Sequence, residues 1–138
     1  MKQGGGEDME EKERGECQAA PLVKVCVQAG TVFLGPGLCE LMEKIHSLGS
    51  IQEACASMDM SYSKGSKMIK KLEGRLGISI VKRQAGGSGG GSSSLTEEGR
   101  WLVRQYRSMT AEIEAAAQDI FGKYFQNGLI KPDGGTQG

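Results

Sequence analysis

The sequence predicts a mainly α-helical fold with a small β component, and three observations carry that prediction. A short capped helix opening at Ser50 turns at Asp59-Met60 directly into a second, basic helix that opens at Ser61. A strand at Ile78 to Lys82 then runs into AGGSGGGSSS, Ala85 to Ser94, which holds five glycines, four serines and no charge. Finally, Leu102, Tyr106, Met109, Ile113, Ala116 and Ile120 step by four, three, four, three and four residues along one long helix. Two helices in tight succession, a basic strand and a glycine-rich tip make up the layout of a winged helix-turn-helix. The predicted architecture is that fold, with an N-terminal β-hairpin before it and a long C-terminal dimerisation helix after it.

Each element has a local cause. Residues 1–21 are glycine-rich and acidic without apolar periodicity, which predicts a disordered arm. The domain proper is expected over 22–95. In it Val23, Val25 and Val27 alternate with other residues, and Ala29-Gly30 can turn the chain into Thr31, Val32 and Phe33 as a small hairpin. Pro36 suits the first turn of a helix whose Leu38, Leu41, Met42, Ile45 and Leu48 recur at helical spacing, and Gly49 ends it. Ser50-Ile51-Gln52-Glu53 is a capping box, and its helix would bury Ile51, Ala54, Cys55 and Met58. Ser61 caps the next helix and Gly77 closes it. Thr96-Glu97-Glu98 restarts a helix over 96–125, with acids at its positive end, and 126–138 reads as a flexible tail. Thirty helical residues span about 45 Å at about 1.5 Å each. So long an apolar seam calls for a partner, and a homodimer supplies one; packing on the chain's own hairpin is the alternative.

Charge sharpens the reading. The chain is formally neutral, yet residues 61–83 carry Lys64, Lys67, Lys70, Lys71, Arg75, Lys82 and Arg83 against Glu73 alone, a local excess of +6. Residues 1–21 carry −3, 22–60 carry −2 and 96–138 carry −1. Phosphate binding depends on where charge sits rather than on its total. On a helical wheel Gly65, Ile69, Leu72 and Leu76 share one sector, flanked by Tyr62 and Met68. Ser63, Lys67, Lys70 and Gly74 lie opposite, with Lys64, Ser66 and Lys71 on the shoulders. The expected partner is therefore double-stranded DNA. Ser61, Tyr62, Ser63 and Ser66 are candidates for base or sugar contacts, and Lys64, Lys67, Lys70 and Lys71 for phosphates. Lys82 and Arg83 on the wing strand, with Gly87 and Ser88 at its tip, would meet the backbone. Capping competes for the Ser61 hydroxyl.

Other chemistries are disfavoured. The glycine-rich loop lacks the lysine of a phosphate-binding GxxxxGK[ST] loop, and two glutamates open the helix after it. His46 is the only histidine, without an obvious carboxylate or thiol partner, so a structural role is expected and no catalytic residue is assigned. Cys17, Cys26, Cys39 and Cys55 show no CxxC spacing, which predicts free thiols with no metal or cofactor. The N-terminus has no signal-peptide apolar core, and no stretch has the length of a membrane helix, so a cytoplasmic protein is expected.

These motifs taken together resemble a known group. GSIQEA, MDMSY, IKKLEGRLG, IVKR, the glycine-rich wing and LTEEG, preceded by a hairpin running into LGPG, resemble the winged helix-turn-helix of LysR-type regulators. Within that group they look most like the DNA-binding domain of the molybdate-responsive ModE regulators. The resemblance covers roughly residues 22 to 110 and lies in the order of the motifs. It implies a transcription regulator that binds an inverted repeat as a dimer, held by the hairpin region and the long helix. By position, Ser61 to Lys67 match the groove-facing segment and Arg83 the wing arginine. Members also carry a C-terminal effector domain for molybdate or another small molecule, which this chain is expected to lack. Ser66 stands where ModE-like sequences often have a bulky aromatic. The competing expectations are a protein-interaction module without DNA binding and a small-molecule or oxyanion sensor at the dimer interface.

Overall fold

The computed structural model describes residues 19–86 and 91–133 of the 138-residue chain. Two units are present, one within residues 24–112 and one whose described residues are 19–23 and 113–133.

The first unit begins with β1 (Val27–Ala29) and β2 (Thr31–Leu34), an antiparallel hairpin pairing Gln28 with Val32 and Ala29 with Thr31 around Gly30. Three helices follow: α1 (Pro36–Leu48), α2 (Ile51–Ser57) and α3 (Tyr62–Leu76). Their boundaries follow from chemistry legible in the residues. Proline opens α1, where its missing N–H costs nothing. The Ser50 hydroxyl accepts from the Glu53 amide at 3.0 Å, and the Ser61 hydroxyl accepts from the Lys64 amide at 3.0 Å. Gly49 and Gly77 stand at φ 75° and 72°, the left-handed conformation that lets α1 and α3 stop sharply.

Beyond α3 come β3 (Val81–Gln84) and β4 (Ser92–Leu95), antiparallel, with Val81 opposite Leu95 and Arg83 opposite Ser93. The strand therefore starts three residues later than the expected Ile78, and the expected glycine-serine loop gives up its last residues to β4. Three bonds explain the shift. The Glu73 carboxylate accepts from the Ile80 and Val81 amides at 2.8 and 3.2 Å, so the chain is still turning there. The Ser93 amide then donates to the Gly49 carbonyl at 2.9 Å and ties β4 to the end of α1. The expected tip contacts, Gly87 and Ser88, lie outside the described residues.

The core sits among the three helices and the wing root. Leu41, Met42 and Ile45 of α1, Ala54 and Cys55 of α2, Ile69 and Leu72 of α3, and Ile80 are fully or almost fully buried. Met58 packs against this cluster from its edge.

The long helix α4 (Glu97–Tyr124) is capped by Thr96, whose hydroxyl accepts from the Gly99 amide at 3.0 Å. Its first turns belong to this unit, where Leu102 and Val103 pack on the core and Tyr106 is buried within it. The Tyr106 hydroxyl donates to the Val25 carbonyl at 2.6 Å. Arg107 grips Glu43 of α1 through two bonds of 3.0 and 2.8 Å, which hold the guanidinium firmly protonated. Two members of the expected dimer seam, Leu102 and Tyr106, are thus occupied by the chain's own core. A heptad spacing specifies an apolar stripe, and an internal groove satisfies it as well as a partner does.

In the second unit, α4 continues from Ile113 to Tyr124. Ile120, Tyr124, Phe125, Leu129 and Ile130 are exposed, and the Phe121 and Phe125 rings pack at a tilt of 36° with centroids 5.1 Å apart. Among the described residues no helix is long and apolar enough to cross a membrane.

Candidate nucleic-acid interface

The second helix of the turn, α3, is built with two unlike sides. Gly65, Ser66, Ile69 and Leu72 face inward, while Ser61, Ser63, Lys64, Lys67, Lys70 and Lys71 are exposed. Tyr62 is half-exposed at the first turn. An open depression on this outer side is lined by Ser61, Ser63, Lys64, Lys67, Met68 and Lys71, so five of the expected contact residues meet on one surface.

The position of Ser66 corrects its assignment. It is buried, with only 9% of its surface exposed. Ser66, Ile69 and Glu73 form a stripe at three- and four-residue spacing, and Glu73 turns inward to the Ile80 and Val81 amides. Ser66 lies on the inward side of the helix with Gly65 and Ile69, so its hydroxyl is not part of the outer face. Leu76 departs the other way: placed by periodicity on the apolar side, it is 37% exposed at the last turn.

The two remaining charged residues of the helix refine the local excess. Glu73, the only acid between 61 and 83, is spent on the backbone of the wing's entry and does not oppose the lysines. Arg75 turns away to the hairpin, donating to the Ala29 carbonyl and to the Thr31 hydroxyl at 3.0 Å, with its guanidinium 5.6 Å from the Phe33 ring centroid. Sequence reasoning counted Arg75 with the basic residues, and nothing local to α3 distinguishes it from them. What is left outward is a set of four lysines with no carboxylate among them. Lysines three and four apart repel one another, at a cost of about 0.2–0.5 kcal/mol per pair, which an anionic partner would relieve.

The wing carries Lys82 and Arg83, both exposed on β3. The Ser61 hydroxyl is committed to the cap, as its position warned, while the amides of the first turn of a fifteen-residue helix remain directed outward. His46 has the expected structural part: its Nδ1 accepts from the Leu95 amide at 3.3 Å. Cys26, Cys39 and Cys55 are free thiols, with Cys39 and Cys55 buried and Cys26 exposed. Burial pushes Cys39 up from 9.0 to about 11 and raises Cys55 as well.

Comparison with known proteins agrees with this geometry. Residues 37–100 match the bacterial regulatory helix-turn-helix proteins of the lysR family. A molybdenum transport protein ModE of Azotobacter vinelandii is 34% identical over 76 residues, which cover 55% of this chain and 28% of that protein. The matched segment therefore spans less than a third of its relative. From α1 through the start of α4, the chain folds as a winged helix-turn-helix whose sequence is similar to the lysR-family domain and to this ModE protein.

Proposed function

We propose that the chain is a transcription regulator that binds double-stranded DNA as a homodimer, each protomer placing α3 in a major groove of an inverted-repeat site. The observation that carries this reading is the acid-free outer face of α3, in a domain whose sequence matches a bacterial regulatory family. Lys64, Lys67, Lys70 and Lys71 neutralise phosphates, and the first-turn amides add donors for one more. Ser63 and Tyr62 are the groups short or extended enough, and near enough the helix start, to reach base edges. Lys82 and Arg83, with the wing tip at Gly87 and Ser88, lie along the backbone. The exposed part of the α4 seam, Met109, Ile113, Ala116 and Ile120, joins the protomers and sets the two α3 helices about 34–36 Å apart, one turn of DNA.

Fluorescence anisotropy on a random-sequence duplex across a salt series tests the reading. With about four phosphate contacts per protomer, log K falls against log salt with a slope of about −3.6 per protomer. Lys67→Ala weakens binding to every sequence and makes the slope shallower by about 0.9, while Ser63→Ala changes the preference among bases. Absence of binding at low salt would reject the DNA reading in favour of a protein-interaction module.

A further inference from the structure

We propose that the cleft where α1, β4 and α4 meet binds a small carboxylic acid with an apolar body, a site separate from the α3 face. The cleft has a volume of about 240 Å³ and is lined by Glu43, His46, Leu95, Arg100, Val103 and Arg104. Its walls are largely apolar, supplied by Leu95 and Val103, and its size lies below the roughly 300–1,000 Å³ of pockets that take drug-sized ligands. A ligand of one ring or a short branched chain is the matching size.

The polar groups select the charge. Glu43 would repel an anion, but both of its oxygens accept from Arg107, at 2.8 and 3.0 Å. Arg100 is also committed, bonded to the Leu95 carbonyl at 3.2 Å and to Glu97 at 2.6 Å. Arg104 has neither an ion pair nor a hydrogen bond among the described residues, although it stands between two arginines that do. His46 adds a donor of fixed identity. Its Nδ1 accepts from the Leu95 amide, so the proton of the neutral ring is on Nε2. One unpaired guanidinium and one imidazole N–H beside an apolar floor are the complement of a carboxylate on an apolar group. A neutral ligand would gain no ion pair from Arg104, and a cationic one would be repelled by it. Occupancy would bear on the wing, since Leu95 ends β4 and is the residue His46 holds.

Benzoate is a suitable probe, titrated into the full chain at constant ionic strength, with benzamide as the isosteric neutral control. The expected result is a rise in Tm of about 5 °C at tenfold excess over Kd, with backbone amide shifts concentrated at Leu95 and Val103. Benzamide gives neither. Arg104→Gln, a change at an exposed position that leaves the fold intact, lowers benzoate affinity about tenfold or more. The proposal is overturned if benzoate shifts neither Tm nor those amides, if benzamide matches it, if the shifts fall on α3 instead, or if the Arg104→Gln variant binds as the parent does. None of these outcomes depends on DNA binding, so this proposal and the DNA reading fail separately.

Discussion

At Gly65, α3 lies hard against Cys55 of α2. A methyl group built there would overlap the Cys55 sulfur and press on the Leu41 and Met60 side chains at 3.4 Å. Gly65→Ala should therefore destabilise the domain by about 1–3 kcal/mol through overpacking, although alanine is the better helix former. Urea denaturation of the variant measures this, and an unchanged or raised midpoint would contradict the close approach. Cys55 and Cys39 lie in the same core and carry a second prediction. Both thiols have pKa values raised by burial, Cys39 from 9.0 to about 11 with Glu43 adding to the effect and Arg107 opposing it. A thiol raised on folding stays protonated in the native state while the unfolded chain ionises, so its stabilisation is present below about pH 9 and is lost as pH climbs toward 11. Denaturation midpoints should fall over that window, and Cys39→Ala should flatten the fall after its own constant cost is subtracted.

The elements show which physical signals are readable locally. Caps are, because they are made within four residues: Ser50, Ser61, Thr96, Gly49 and Gly77 all bound helices where the sequence places them. The basic face of α3 is readable for the same reason, since helical periodicity alone sorts Lys67 from Ile69. Long-range partners are not. Glu73 bonding the Ile80 and Val81 amides moves the start of β3, and no feature of residues 61–83 announces it. Three serines make a poor strand on propensity, yet Ser92 to Leu95 is one because β3 and the Gly49 carbonyl give its backbone partners. Tyr106 is the clearest case at this scale, as its heptad position fits either a partner helix or the chain's own core. Its hydroxyl on Val25 decides between them for this residue. Tyr106→Ala should cost about 3–5 kcal/mol in the stability of the unit it is buried in, and Tyr106→Phe about 0.5–1.5 kcal/mol for the lost bond. If Tyr106→Ala altered only self-association and left the denaturation midpoint in place, the internal assignment would fail.

At the scale of the whole molecule, neutrality conceals an uneven field. The +6 of residues 61–83 coexists with acidic stretches before and after it, and Glu73 and Arg75 are both turned to internal partners, so the outward lysines act unopposed on α3. On the proposed reading, one such face would make only about four phosphate contacts and reach a few base pairs, which limits both the salt slope and the selectivity. Two faces held at a fixed spacing multiply the contacts, which is the physical advantage of a dimer on a two-fold site. The stripe left over once Leu102 and Tyr106 are counted as core runs through Met109, Ile113 and Ile120, all exposed by 36–51%. Replacing Ile113 and Ile120 together by glutamate should convert a dimer to monomers in sedimentation velocity. The far-ultraviolet circular dichroism and the denaturation midpoint of the 24–112 unit should be little changed, since neither residue belongs to it. On a duplex bearing a paired site, the slope of log K against log salt should drop from about −7 to about −3.6, the value for one protomer. A monomeric parent chain, or a variant that keeps both its dimer and its slope, would remove α4 as the joining element and leave the spacing of the two α3 helices to some other surface.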